Sequence, residues 1–372
     1  MNFEPDLKQY TMCSVLGSCF SDRAVVFLGK HNKSGNLVAM KNFNLDSMSK
    51  TDCQLIQDEI YNTRQLMHPN LIPYVTSFLD KSQLYVVFPL MGYGSCRDLL
   101  RNHFVEGLPE TVIAFVLRDV LLGLEYIHNK GLVHRAIKAG HILIRADGHA
   151  SLSGLRSMCP IDKRSNLHSL PLQSANNLNW SSPEMLEQNL LGYNEKSDIY
   201  SIGMTSCELA NGFVPFAETD TTLMLTQKVK GLIPHLLDCT TCYPYEDNAA
   251  DNGYQSEETI GVNAAPVSSV YTRMFTEEFH NLVELCCQRD PESRPSAPNL
   301  LAHTFTKQVK KLNVKVTDLL RPAVPLLKTN VAEISDDLAS IGGMSQQLSD
   351  LDLLTYAWDF DLNDIDDIVP TL

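Results

Sequence analysis

The pattern of apolar and polar side chains predicts a strand-rich first part of the chain. Residues 10–45 alternate between apolar and polar positions, as half-buried strands do. Two apolar runs there, 25–31 and 36–43, are joined by a short stretch of Asn, Ser and Gly residues that indicates a hairpin. Two further runs, 71–79 and 83–88, follow a His-Pro-Asn turn. We therefore expect a β-sheet in this region.

Helical periodicity prevails in the rest of the chain. Residues 109–130 place apolar side chains three and four positions apart, which predicts a long amphipathic helix. The same period predicts helices at 54–66, 276–289 and 297–311. Residues 238–270 are rich in Asn, Ala, Glu, Asp and Ser and have little period, which predicts a disordered insertion.

Charge and composition exclude several classes of protein. The formal net charge is −14, and ten acidic residues but no Lys or Arg follow Lys328, so a nucleic-acid partner is not expected. The ordinary interpretation of such a tail is a solvated, disordered segment. No apolar run has membrane-spanning length, and the first ten residues lack a signal-peptide core. The ten cysteines form no zinc pattern, so we expect reduced thiols and no metal site.

One stretch carries most of the chemical information, residues 131–156, which read GLVHRAIKAGHILIRADGHASLSGLR. Its spacing is similar to that of protein kinases, which have Asp at the position of Ala136 as a base. They have Asn at the position of His141 and Asp at the position of Gly154 as magnesium ligands. All three positions lack the acid or amide that phosphoryl transfer requires.

Other positions of the kinase pattern are retained around this loop. Val-Ala-Met-Lys ends at Lys41, and Glu59 follows at the distance of its usual helix partner. Each residue alone could be an ordinary strand lysine or surface glutamate, but they lie in register with the loop downstream. The glycine-rich phosphate loop is largely lost, because only Gly17 remains and Asp22 stands where the backbone would approach phosphate.

Residues 10–310 resemble the protein kinases of the sterile-20 group and, more narrowly, the sterile-20-related adaptor (STRAD) pseudokinases. The resemblance rests on YIHNKGLVHRAIKAGHILI, LSGLR, KSDIYSIGMTSCELANG and Trp358-Asp359-Phe360. It implies an α+β, bilobal fold. The β-rich N-lobe would span 1–92, the helical C-lobe 93–312, and a linker with a disordered acidic tail 313–372.

The resemblance also implies roles for individual residues. No residue is expected to be catalytic, since Ala136, His141 and Gly154 are degenerate. Structural roles fall to His134, Arg135, Leu155, Glu184, Asp198 and Arg294. Nucleotide contacts fall to Gly17, Val25, Ala39, Lys41, Glu59, Met91, Lys138, Leu143 and Arg156. Scaffold binding falls to Trp358, Asp359 and Phe360, although twelve residues follow a motif that is terminal in the family.

The function that the resemblance implies is that of an inert adaptor. Such an adaptor allosterically activates a liver kinase B type serine/threonine kinase, together with a calcium-binding protein 39 (mouse protein 25) type helical-repeat scaffold. We expect ATP to bind without hydrolysis and without magnesium. We expect the protein to be located in the cytoplasm and also in the nucleus. We expect no nucleic-acid or membrane partner. A weakly active unorthodox kinase and a nucleotide-free structural scaffold are the alternatives.

Overall fold

A computed structural model describes residues 3–19, 23–161, 177–187, 192–241 and 270–327. The first part is a five-stranded antiparallel sheet in the order β1-β2-β3-β5-β4. Its strands are β1 (Tyr10–Cys19), β2 (Ala24–His31), β3 (Leu37–Asn44), β4 (Thr76–Asp80) and β5 (Gln83–Pro89). This sheet matches the strand-rich region that the sequence predicts.

The helix α1 (Lys50–Gln65) connects the strands β3 and β4. It begins with a capping box, in which Ser49 accepts a hydrogen bond from the Asp52 N–H and Asp52 accepts one from the Ser49 N–H. Two donors that the first turn leaves free are thereby satisfied. Ile56 is the apolar residue that α1 buries, and Glu59 lies almost as deep, so the helix carries a carboxylate into the interior.

Helices dominate the second part of the fold. They are α2 (Cys96–Asn102), α3 (Glu110–Asn129), α4 (Pro183–Leu186), α5 (Lys196–Asn211), α6 (Thr221–Val229), α7 (Glu277–Cys286), α8 (Ala297–Leu301), α9 (Thr304–Lys307) and α10 (Val316–Leu319). Two of them, α3 and α5, form the centre, and every residue of α5 after Lys196 is buried. The predicted α+β class, with a sheet-rich first part and a helical second part, is confirmed.

Five short strands lie within residues 94–160 and flank the loop 134–141. They are β6 (Gly94–Ser95), β7 (Leu132–Val133), β8 (Ile142–Ile144), β9 (Ala150–Leu152) and β10 (Cys159–Pro160). β8 pairs with both β6 and β9, and β7 pairs with β10. The loop 134–141 is therefore fixed at both ends by strand pairing.

One predicted helix is wrong in extent. The segment 297–311 is not continuous, because α8 ends at Leu301 and α9 begins at Thr304. His303 has extended backbone angles, and its side chain accepts a hydrogen bond from the Phe305 N–H. This cap starts a new helix and breaks the old one.

The predicted insertion at 238–270 begins with ordered residues. Asp238 is buried and accepts hydrogen bonds from Thr240, from the Phe275 N–H and from His280. Burial works to raise the pKa of Asp238, but these hydrogen bonds hold it far below its ordinary value. Residues 238–241 thus belong to the folded part, and 242–269 lie outside the described residues.

Residues 307–327, which we call the C-terminal strap, return to the region between the two parts. Leu320 and Ala323 are buried, and the Leu326 N–H donates to the Gly92 carbonyl over 2.8 Å. A Cβ on Gly92 would lie 3.2 Å from Pro325. Most of the strap was expected to be linker, but it packs on the fold. Within the described ranges, no helix has both the length and the hydropathy to cross a membrane.

Two buried cations hold the part of the chain that follows the loop region. Arg294 is completely buried and donates to both Glu184 oxygens, over 2.6 and 2.8 Å. Lys228, also buried, donates to the carbonyls of Leu178, Asn179 and Ser181 over 2.7–2.9 Å. Burial lowers the pKa of Lys228 to about 7. These contacts tie residues 178–184 to the helical part of the fold.

We predict that Arg294→Met lowers the free energy of unfolding by about 3–5 kcal/mol, because it leaves a buried carboxylate without its partner. The matched control is Arg289→Met, which removes an exposed ion pair with Glu187 and should cost less than about 1 kcal/mol. Urea denaturation of both variants measures the difference. Equal losses would contradict the buried-pair interpretation.

Candidate functional site

The carboxylate of Asp198, on α5, fixes the loop that precedes β8. Asp198 is completely buried, and it accepts hydrogen bonds from the His134 and Arg135 N–H groups, both over 2.8 Å. A third bond joins it to the His128 imidazole over 2.9 Å. Burial works to raise the pKa of Asp198, but the His128 hydrogen bond and charge lower it below its ordinary value.

Arg135 has a backbone conformation that needs this support. Its φ of 65° lies in the left-handed region, which costs a non-glycine residue about 1–3 kcal/mol. Its guanidinium also donates to the Ser157 carbonyl and to the Tyr193 hydroxyl. The loop therefore keeps its shape through contacts with α5 and with the segment after β9.

His134 and Leu155 are buried next to the loop and bond it to the segment after β9 and that segment to α1. The His134 ring is inaccessible to solvent and contacts the Ser153 carbonyl over 2.9 Å. Its other nitrogen, Nδ1, accepts from the Ala136 N–H, and burial lowers the pKa of the ring below its ordinary value. Leu155 is buried, and its carbonyl accepts from the Asn62 side chain on α1. Both residues therefore have the structural role that the sequence assigns to them.

The three degenerate positions lie together, and His141 fills the space between them. The His141 Nδ1 lies 2.6 Å from the Ala136 carbonyl oxygen, which requires Nδ1 to donate. A Cβ placed on Gly154 would lie only 2.6 Å from the same Nδ1. The φ of Gly154 is also left-handed, at 81°. The imidazole thus stands where a side chain at 154 would begin.

A magnesium ion held in the usual way does not fit this arrangement. Ala136 and Gly154 offer no oxygen ligand from their side chains, and the His141 nitrogen facing Gly154 is committed to a carbonyl. Hard divalent cations prefer oxygen ligands. Within the described part of the chain, no group of three or more His, Cys, Asp or Glu side chains is placed to hold a metal.

Lys41 and Glu59 form a close ion pair at the expected positions on β3 and α1. Their charged atoms are 2.6 Å apart, and their side chains are 19% and 10% exposed. Burial works to lower the pKa of Lys41, but the Glu59 carboxylate raises it above its ordinary value. Arg156 lies near enough for its positive charge to oppose that rise. The charges of Glu59 and Arg156 therefore both act on the Lys41 ammonium.

Lys138 is placed differently from the expectation. Its ammonium lies 5.4 Å from the centre of the Trp180 ring, and the residue is only 3% exposed. Glu208 accepts hydrogen bonds from the Trp180 indole and from the Ala139 N–H. Burial raises the pKa of Glu208, and the nearby Lys138 charge works to lower it. In this conformation Lys138 belongs to a buried cluster with Trp180 and Glu208 rather than to the exposed cations of the site.

The remaining predicted nucleotide contacts lie along the sheet and the segment that follows it. Gly17 and Val25 are in the β1–β2 hairpin, and Ala39 is in β3 opposite Phe88 of β5. Met91 and Leu143 are buried, and the Met91 carbonyl accepts from the Gly94 N–H. Asp22, Trp358, Asp359 and Phe360 lie outside the described residues.

Sequence reasoning missed four residues that hold the site together. His128 had no motif of its own, and Glu208 and Lys228 act through contacts that only the fold creates. Trp180 carried a signal, because it is one of two tryptophans and lies just before Ser182-Pro183-Glu184.

Comparisons with known proteins agree with this geometry. A model of the protein kinase domain family matches residues 12–306. STE20-related kinase adapter protein alpha of Mus musculus is 39% identical over 375 residues, which cover 96% of this chain and 86% of the relative. The alpha protein of Gallus gallus is 42% identical over 341 residues, 87% of each chain. STE20-related kinase adapter protein beta of Homo sapiens is 38% identical over 335 residues, 86% of this chain and 80% of the relative.

We predict that Gly154→Asp destabilises the fold by about 1–3 kcal/mol, because the new side chain overlaps the His141 ring. Adding His141→Asn should recover part of that loss, with a coupling energy of about 0.5–3 kcal/mol. Thermal unfolding of the two single variants and the double variant closes the cycle. Strictly additive effects would show that the two positions do not share one space.

Proposed function

The chain belongs to the protein kinase domain family and, within it, to the STE20-related kinase adapter proteins, and on that premise we propose that it is a catalytically inert adaptor of a partner kinase. The relatives are named kinase adapters. The finer proposal is that the partner is a liver kinase B type serine/threonine kinase, which the adaptor activates allosterically.

The observation that carries this proposal is the contrast between the loop and its chemistry. The Asp198, His134 and Leu155 contacts that maintain the loop are present. At the reacting positions stand Ala136, His141 and Gly154, and none of them has the carboxylate or amide that kinases use there as base or magnesium ligand. General-base help alone is worth about 10²–10⁴ in rate. A fold that keeps its shape but lacks these groups is suited to binding rather than to phosphoryl transfer.

Binding can activate a partner when the adaptor prefers one of the partner's conformations. The shift in the partner's equilibrium is then limited by the difference in affinity for its two states. Typical coupling free energies of about 1–3 kcal/mol correspond to about 5–150-fold changes. The Glu184–Arg294 and Lys228 contacts support a fixed shape for this part of the fold, because they restrain residues 178–184.

We further propose that the cleft binds ATP without magnesium. The support is that Lys41 is paired with Glu59 and lies close enough to Arg156 for their positive charges to interact. Lys41 and Arg156 would bind phosphate oxygens, and Glu59 would hold Lys41 in place. Fixed cations can neutralise phosphate charge where a metal has no ligands. With Lys138 buried against Trp180, this role rests on two cations rather than three.

We also propose that Trp358 and Phe360 anchor the chain to a calcium-binding protein 39 type scaffold. Side chains two positions apart point to the same side of an extended peptide. Two aromatic side chains can then enter one hydrophobic pocket of a partner.

ATP in EDTA should raise the melting temperature, since a ligand at about 100 times its Kd adds roughly 2.7 kcal/mol to the stability of the folded state. Arg156→Ala should reduce the shift more than Arg64→Ala, whose arginine is exposed on α1. A shift that needs magnesium would contradict the cation argument. No shift in either condition would favour an empty cleft.

The adaptor function is tested with a purified liver kinase B type kinase, with and without this chain and the scaffold. We expect the partner's peptide phosphorylation to rise about 5–150-fold, and no phosphorylation when a kinase-dead partner is used. Phosphorylation with the dead partner would make this chain the enzyme.

The tail is tested by scaffold pull-down. Trp358→Ala with Phe360→Ala should abolish capture, whereas Ile334→Ala with Ile341→Ala removes two apolar tail side chains elsewhere and should not. Equal capture of both variants would exclude the aromatic anchor.

A further inference from the structure

The C-terminal strap presents an exposed basic face. It contains five basic residues and one acidic residue, Asp318. The basic residues are all exposed: Lys307, Lys310, Lys311, Lys315 and Arg321. This stands out in a chain whose formal net charge is −14. Anionic segments will therefore be attracted to the strap more than to most of the molecule.

Apolar side chains are exposed on the same strap. Val324 is 72% exposed, and Leu312, Val314 and Leu327 are 39–42% exposed. An open groove of about 460 Å³ lies here and is lined by Tyr93, Asp318, Arg321, Pro322 and Val324 among others. Pockets of about 300–1,000 Å³ accept small organic ligands, so the groove has room for an aromatic side chain. Its lining combines apolar surface with Arg321, whose guanidinium lies 3.7 Å from the Asp318 carboxylate.

The chain itself contains a segment of complementary chemistry. Residues 350–367 hold seven acidic and no basic residues, interleaved with Leu, Ile and the aromatic residues Tyr356, Trp358 and Phe360. Attraction between opposite charges would guide this segment to the strap. Burial of its apolar side chains against the strap would add to the free energy of binding.

The connection is long enough. Asp350 follows Leu327 by 23 residues, and a chain of that length spans at most about 80 Å. Because the segment is tethered, its effective concentration near the strap is of the order of millimolar. Even a weak intrinsic affinity is then sufficient for occupancy.

We propose that residues 350–367 bind in cis to the C-terminal strap, with an aromatic side chain of the segment in the groove beside Arg321. The contact covers the strap next to Gly92, and it sequesters the tail aromatic residues. It needs no partner kinase and no nucleotide, and so it does not depend on the function proposed above.

Zero-length carbodiimide crosslinking of the full chain tests the contact. The expected products are amides between the lysines at 310, 311 and 315 and the acidic residues of 350–367, within the monomer band. Crosslinks found only in a dimer band would assign the segment to a second copy and overturn the proposal. Crosslinks spread equally over Lys30, Lys50 and Lys81 would also overturn it.

Hydrogen exchange of the full chain gives a second readout. With an effective concentration of about 1 mM and an intrinsic Kd of about 0.3 mM, exchange within 350–367 should be about fourfold slower than in an undocked tail. The variant K310E/K311E/K315E should lose this protection, and 1 M salt should weaken it. The control K30E/K50E/K81E makes the same charge change at exposed lysines of the first part and should retain it. Equal exchange in both variants would exclude strap docking.

Discussion

The position of the loop 134–141 depends on one buried carboxylate. Asp198 has no contact with solvent, and an ionised group in such a place is tolerated only when donors surround it. The His134 and Arg135 N–H groups and the His128 ring provide those donors. The same bonds hold Arg135 at a φ that it would not adopt alone. The need to satisfy one charge thus determines the backbone of the loop on which Ala136 and His141 lie.

The charged side chains of the site differ in burial. Asp198, Glu184, Arg294, Glu208 and Lys228 are all buried and have partners within the fold. Lys41 retains partial exposure, at 19% of its side chain, although its partner Glu59 is buried. The buried charges stabilise the arrangement of the loops. The absence of carboxylates at positions 136 and 154 therefore leaves the internal charge pairs of the fold in place.

Sequence reasoning predicted the elements and the retained ion pairs, because these follow from periodicity and from fixed spacing between motifs. It could identify Ala136, His141 and Gly154 as degenerate, but not that the His141 ring fills the space beside Gly154, since that depends on a distance of a few ångström. The burial of Lys138 against Trp180 and the packing of the strap on Gly92 also arise from tertiary contacts. The break at His303 was missed because a histidine cap is a weak local signal.

The close approach of His141 to Gly154 limits which pairs of residues these two positions can hold. A side chain at 154 and the imidazole in its present place would occupy the same space, so the residue at 141 and the residue at 154 constrain each other. With histidine at 141, a side chain at 154 has to displace the ring, and a smaller residue at 141 removes that conflict. A change at 154 that keeps the packing therefore takes two coordinated substitutions rather than one.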